Sequence, residues 1–313
     1  MSAHRVSYFQ TVSENIMKRK IFGILAIIII AILAVFLIIT PDAPSKKYYT
    51  NIHRPLVIAH QGGDGILPGD TMSAFENAVK IGADVLEMDA HITKDSQIVL
   101  MHDERVDRTT NGTGLIEDLT LDQLKGLDAA YRWSNDGGQT FPYRGQGIHV
   151  PTLDELFQKF PQMRYVIEIK LTQNPIDKPL CELIRKRNMQ DKVVIASFHD
   201  VAMQNFRKTC PEVATSASRG EVTKFVLLGK VFLSGLIAPQ YQSIQPPYDP
   251  SESLNIPIMT KRFIREAHAK NLAVEPWTVD DPTLMKQYIA WGVDGIMTDR
   301  PDLMIRVLKD MGE

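Results

Sequence analysis

The chain has 313 residues, 44% apolar and 23% charged, a globular composition with material for a sizeable core rather than a disordered or low-complexity chain. Its formal charge of −2 divides unevenly: residues 1–47 carry +4 and the remainder −6, an acidic balance with no electrostatic footprint for nucleic acid. Two cysteines are too few for a disulfide framework.

Residues 21–40, IFGILAIIIIAILAVFLIIT, run without a charge for the length of a bilayer-crossing helix. A cleaved signal peptide is the alternative, but this apolar stretch exceeds a signal's about 7–15 residues, and PDAPSKK after it offers no small-residue cleavage site. Lys18, Arg19 and Lys20 precede the span and Lys46 and Lys47 follow it, so the charge bias places the N-terminus in the cytoplasm. The expected organisation is a cytoplasmic segment over 1–20, one transmembrane helix over 21–40, a linker over 41–54 and an extracytoplasmic domain over 55–313.

From residue 55, short β-branched runs alternate with helical patterns, the signature of βα units around a parallel sheet. The spacing predicts strands at Leu56–His60, Asp84–Asp89, Ile98–Met101, Tyr165–Ile169, Val193–Phe198, Val213–Ser216, Ser243–Gln245, Ala273–Val279 and Gly295–Thr298. Helices are expected at 71–81, 152–160, 177–188, 200–209, 260–270, 281–291 and 301–310, with threonine capping boxes at TLDQ (120–123) and TLDE (152–155). Nine strands are one too many for an eight-stranded barrel, and chain length identifies the surplus. A parallel crossover needs a dozen or more residues, and only Ala90–Gln97 separates Asp89 from Ile98. Those two runs therefore form a hairpin, and the other eight strands build an α/β (β/α)8 TIM barrel with an insertion over 103–150. The apolar stretch 222–239 reads as a buried helix and loop, with a membrane-touching flap as the alternative. Cys181 and Cys210 fall in helical patterns and read as small buried apolar groups, although an exported domain could pair them.

In such a barrel, reactive groups sit at the C-terminal ends of the strands. The ends here carry His60, then Glu87 and Asp89, then His102–Asp103 on the returning hairpin, Glu168 and Lys170, Trp277, and Thr298–Asp299. Glu87 and Asp89 are two apart, so they share one face of their strand. With Glu168 they make three carboxylates and no sulfur, a hard-oxygen set suited to Mg²⁺ or Ca²⁺. Two histidines framing that set suggest a general acid and base for displacement at phosphorus.

The long motifs AHQGG…PGDTMSAFENAVKIGADVLEMDAHITKDSQIVLMHDERVDRTTNGTG, EIK, VEPWTVDD and GVDGIMTDRP closely resemble the glycerophosphodiester phosphodiesterase family over roughly residues 55–305. The resemblance implies the same barrel and divalent-cation-dependent hydrolysis of glycerophosphodiesters to glycerol 3-phosphate and an alcohol. It implies His60 and His102 as the acid/base pair, Glu87, Asp89 and Glu168 as metal ligands, Lys170 near the phosphate and Trp277 lining the pocket. It also implies attack on phosphorus by the substrate's own 2-hydroxyl. The chain departs from the pattern where the family has His-Arg-Gly and this sequence has His60-Gln61-Gly62, and where Pro-Glu-Asn-Thr becomes Pro68-Gly69-Asp70-Thr71. Gln61 can give phosphate only a neutral hydrogen bond, which leaves Lys170, Arg108, Arg132 or Arg144 to supply charge. A lysophospholipase D acting at the membrane is the alternative activity. A phosphatidylinositol-type phospholipase C and an inactive phosphodiester-binding protein stand further off. Residues 128–148 read as a lid or as an ordinary exposed loop.

Overall fold

The computed structural model describes residues 17–29, 31, 35–36, 40–170, 173–253 and 255–313. Residues 17–29 are helical, and part of the span expected at 21–40 lies outside the described residues. Among the described residues no helix is long and apolar enough to cross a membrane.

The TIM-like arrangement of parallel strands is present. Strands β1 (Leu56–Ala59), β2 (Val85–Ile92), β3 (Ile98–Leu100), β4 (Arg164–Ile169), β5 (Val193–Ala196), β6 (Ala214–Thr215), β7 (Ser243–Ile244), β8 (Ala273–Val274) and β9 (Gly295–Thr298) follow the expected order. One sheet runs β6-β5-β4-β2-β1-β9 with every neighbour parallel, and β7 and β8 form a second parallel pair. Backbone hydrogen bonds join the two sheets at both edges: Gln242 N–H to Thr215 O (2.8 Å) beside β6, and Asp294 N–H to Val274 O (3.0 Å) beside β9. The hairpin deduced from chain length is real, with β3 antiparallel to β2 and Ala90 opposite Leu100. The two threonine boxes cap helices Leu121–Lys125 and Leu153–Lys159, each threonine accepting from the third residue while that residue's side chain returns to the cap.

Three expectations need correction. Strand β8 stops at Val274 rather than Val279, because Pro276 has no N–H to continue the ladder. The stretch 222–239 is neither wholly buried nor a free flap: helix Arg219–Lys230 buries Phe225 but leaves Leu227, Val231 and Phe232 exposed. Cys181, in helix Asp177–Lys186, and Cys210, which ends helix Asp200–Thr209, form a disulfide with Cα atoms 5.7 Å apart. Periodicity had placed both on buried helix faces correctly; burial alone does not distinguish a thiol from half a cystine. The bridge closes a 29-residue separation, for which the chain-entropy picture gives about 3–4 kcal/mol. Non-reducing peptide mapping should recover the two cysteine peptides linked, and reduction should lower the melting temperature; free thiols in protein purified without reductant would contradict the pairing.

Side chains from Ile58, Val85, Val166, Val194 and Met297 fill the barrel interior, closed at the N-terminal end of the strands by Tyr48. Glu275 is fully buried among them. Its Oε2 accepts from Gln245 Nε2 (2.9 Å) and Tyr49 OH (3.4 Å). Burial outweighs the Gln245 hydrogen bond and pushes the carboxyl up to about 7. Between the ordinary glutamate value and about 7 the folded chain keeps a proton that the unfolded chain has released, so stability should fall as pH rises through that window. Urea unfolding of Glu275→Gln should show that fall flattened by about 3 kcal/mol; an unchanged pH profile would mean that Glu275 ionises freely.

Candidate active site

Register assembles the centre. Strands β2 and β4 pair with Asp89 opposite Glu168, and alternation along β2 puts Glu87 on the same face as Asp89. Each of the three offers an oxygen within 4.8 Å of the others'. Glu87 and Asp89 are buried, at 3% and 1% exposure. Burial pushes the Glu87 and Glu168 carboxyls upward and the neighbouring Asp89 charge adds to it, whereas Lys170, overcoming burial, pulls Asp89 down. Lys170 Nζ bridges Asp89 Oδ1 (2.9 Å) and Glu168 Oε1 (3.0 Å), and these partners hold its pKa up against burial. A set of convergent carboxylates with excess negative charge fits a hard divalent cation, so Glu87, Asp89 and Glu168 are the residues that could hold one.

Both histidines lie beside this group, each with an aspartate on Nδ1. His60 follows β1 in a short 3₁₀ turn, His60–Gly62, one residue beyond the strand. Its Nδ1 donates to Asp299 Oδ1 (2.6 Å) from the end of β9, which turns Nε2 towards Glu87, 4.0 Å away. Burial opposes a charge on His60, but Glu87, Asp299 and Asp89 prevail and its pKa is pushed up to about 10. His102, on the hairpin's return, donates Nδ1–H to Asp103 Oδ1 (2.8 Å). Arg108 grips the same Asp103 at 2.5 and 3.0 Å, and against burial these partners pull its pKa down to about 2. Trp277 stands at the rim with Nε1 donating to Gln245 O (2.7 Å) and its ring edge-on to Phe198 at 5.6 Å.

Three features of this arrangement were missed in the sequence. Asp299 was visible only as a strand-end residue, 239 positions from the histidine it orients. Asp103 was quoted beside His102 without a role. His91, two residues past Asp89, is buried with Nε2 set 3.4 Å from His102 O, and the β2 alternation alone could have flagged it.

A pocket beside the carboxylates is lined by Gln61, Asp64, His102, Arg108 and Trp133. The insertion thus borders the centre: Trp133 Nε1 donates to Asp64 O (3.1 Å) and Oδ1 (3.2 Å). Among the expected sources of phosphate charge, Arg144 is occupied, stacked on Tyr131 and Phe141 at 4.2 and 4.0 Å. Arg108 faces the pocket but is paired with Asp103.

Comparison with known proteins gives the family. A family model described as the glycerophosphoryl diester phosphodiesterase family matches residues 60–303. The chain belongs to this family. It is 30% identical over 264 residues to a glycerophosphodiester phosphodiesterase of Caldanaerobacter subterraneus subsp. tengcongensis, covering 83% of this chain and all of that one. It is 29% identical over 269 residues to the human lysophospholipase D GDPD1, covering 78% of this chain and 83% of that one. An Oleispira antarctica phosphodiesterase, solved with the product sn-glycerol-3-phosphate, shares the fold with a TM-score of 0.65 at 22% identity, over 85% of this chain and all of that one.

Where this glycerophosphoryl diester phosphodiesterase family member departs from the usual motif, the replacements are linked. Gln61 takes a left-handed backbone (φ 50°, ψ 27°), its N–H donates to Glu87 Oε2 (2.9 Å) and its side-chain amide to Asp89 Oδ2 (3.0 Å). The side chain is thus turned to the carboxylates while it also lines the pocket. A Cβ at Gly69 would meet Gln61 Oε1 at 2.7 Å and Asp64 Oδ1 at 2.8 Å, so any larger residue would require those side chains to shift. Asp70 is buried, its Oδ1 accepting from Asp89 N–H (3.3 Å) and its Oδ2 without a partner. Burial and then Asp89 hold its carboxyl well above the usual range. Removing one ligand, as in Glu168→Gln or Asp89→Asn, should weaken Mg²⁺ or Ca²⁺ binding at least on the order of tenfold in calorimetric titration; unchanged affinity would place the cation elsewhere.

Proposed function

We propose that the chain hydrolyses glycerophosphodiesters to glycerol 3-phosphate and an alcohol, with His60 and His102 as acid and base. The observation that supports this most directly is the convergence of three strand-end carboxylates with two aspartate-paired histidines, in a member of this family. Bound at Glu87, Asp89 and Glu168, a Mg²⁺ or Ca²⁺ ion would supply Lewis-acid polarisation of the phosphoryl oxygens and of the attacking hydroxyl. Asp299 and Asp103 fix their histidines' rings so that both Nε2 atoms are left for the substrate. One histidine takes the proton of the substrate's 2-hydroxyl as it attacks phosphorus, and the other gives a proton to the departing alkoxide, leaving a cyclic glycerol phosphate. With the two roles reversed, water then adds to phosphorus and the ring P–O bond breaks to give glycerol 3-phosphate. Were a cation to meet the carboxylate charge, Lys170 would be free to contact phosphate, and Trp277 walls the pocket on the substrate side.

We also read residues 21–40 as a single membrane anchor, with the barrel on the extracytoplasmic side. Ile21, Phe22, Ile24, Leu25, Ile27 and Phe36 are all exposed among the described residues. A Cys181–Cys210 disulfide suits an oxidising compartment. A second reading, lysophospholipid hydrolysis, has support from the name of the human relative and from half-exposed Phe198 beside Trp277.

His60→Ala and His102→Ala should each lower metal-dependent turnover of glycerophosphocholine by about 10²–10⁴-fold, assayed as glycerol phosphate released. Because the 2-hydroxyl is the nucleophile, a substrate with that hydroxyl blocked should be inert. Rapid cleavage of the blocked substrate would defeat the mechanism while leaving the metal site standing.

A further inference from the structure

The linker expected at 41–54 is not slack. It lies across the turns that precede successive strands, on the face opposite the catalytic centre. Thr40 O accepts from Lys270 Nζ (3.1 Å), and Ala43 N–H donates to Lys270 O (2.9 Å). Asn271 Nδ2 reaches Ala43 O (2.9 Å), and Gln242 Nε2 reaches Pro44 O (3.2 Å). Lys46 Nζ donates to Pro211 O (2.6 Å), and Lys47 pairs with Asp191 (2.8 Å). Asp191, Pro211, Gln242 and Lys270 stand just before β5, β6, β7 and β8, so these contacts all lie at the N-terminal ends of the barrel strands. Tyr48 then inserts into the barrel mouth on that face, 1% exposed.

Lys270 ties the segment down. It is 5% exposed, and the partners of its ammonium, Thr40 O and the Asp42 carboxylate at 3.4 Å, both come from the chain entering the barrel. Lifting that chain would break these contacts together with the backbone bonds to Ala43 and Pro44 and would draw buried Tyr48 out of the barrel mouth. Undocked, the ten residues from 41 to 50 could reach about 35 Å and let the barrel tumble. Docked, they leave no length to spare. The catalytic residues sit at the other ends of the same strands, about 15–20 Å away along β4.

Resting on the anchored reading above, we propose that the barrel is held with its N-terminal face against the bilayer, so that the catalytic mouth opens away from the membrane. The substrates are then water-soluble, deacylated glycerophosphodiesters rather than lysolipids of the enzyme's own bilayer.

The orientation can be measured without reference to activity. The full chain is reconstituted in phosphatidylcholine vesicles with a fluorophore at His53→Cys, on the linker face, or at Gln139→Cys, on the insertion beside the mouth. Both positions are exposed and outside the catalytic and linker contacts. A headgroup-attached quencher should strongly quench the first probe and spare the second; equal or reversed quenching overturns the proposal. Failure of the chain to float with vesicles overturns the anchor, and this proposal with it, while leaving the phosphodiesterase reading intact. In the same vesicles, glycerophosphocholine should be turned over at least about a hundredfold faster than a very-long-chain lysophosphatidylcholine held in the bilayer. Inserting about twenty Gly/Ser residues between Thr40 and Pro41 gives the barrel slack of about 25 Å and should raise lysolipid turnover. If lysolipid stays inert with that slack, the pocket and not the orientation sets the preference, and the proposal fails.

Discussion

Three carboxylates packed side by side in a low-dielectric site repel one another, and the rest of the catalytic face is organised around that repulsion. The β2–β4 register gives Asp89 no alternative to facing Glu168, and the pleat brings Glu87 onto the same side. Every neighbouring donor is directed at the excess charge. Lys170 bridges two of the acids, Gln61 gives its backbone to one and its amide to another, and His60 points Nε2 at Glu87. A chain that retains such a cluster without filling it with apolar groups carries a standing cost in stability. Binding a divalent cation turns that cost into affinity, which is the physical reason to look for function there rather than for structure.

Much of the fold was legible because parallel barrels repeat a simple pattern. Apolar runs fixed the strands, and counting residues between Asp89 and Ile98 separated a hairpin arm from a barrel strand. Capping boxes marked two helix starts to the residue. The carboxylates and histidines were legible for the same reason: they occupy strand ends, and strand ends can be counted. Their partners were not. Asp299 meets His60 only because β9 lies beside β1, a consequence of ring closure that no local pattern encodes. The disulfide failed similarly, since two buried helix faces became neighbours only through packing. Gln61 failed for a subtler reason: its direction depends on a left-handed backbone that a non-glycine residue adopts only when its surroundings enforce it.

The changes at positions 61 and 69 are better understood as one exchange than as two losses. A side chain at 69 would meet both Gln61 Oε1 and Asp64 Oδ1, so the acid of the usual motif would require both of those side chains to move. Asp64 in turn receives Gly69 N–H at 2.8 Å and ties Trp133 of the insertion to the loop after β1. The exchange therefore removes charge from the turn after His60 and spends the space on joining insertion to barrel. Two cations near the pocket are already engaged, Arg108 with Asp103 and Lys170 with the carboxylates. Arg132 also lines the pocket, its Nε donating to Thr110 O, and Lys170 is the cation whose partners a metal ion would take over.

That same economy of charge bears on the opposite face. Lys270 is a nearly buried ammonium in a turn that would otherwise be exposed, and the chain that covers it also supplies its partners. The N-terminal segment is thus part of the barrel's structure rather than a leash attached to it: Tyr48 closes the barrel interior, and Tyr49 supplies a hydrogen bond to Glu275 inside it. Truncating the linker would expose the interior and unpair Lys270 together. A protein that only needed to stay near a membrane could do so with a loose tether. On the anchored reading proposed above, a tether built into the floor of the barrel fixes which end faces the bilayer, and that end is opposite the carboxylates.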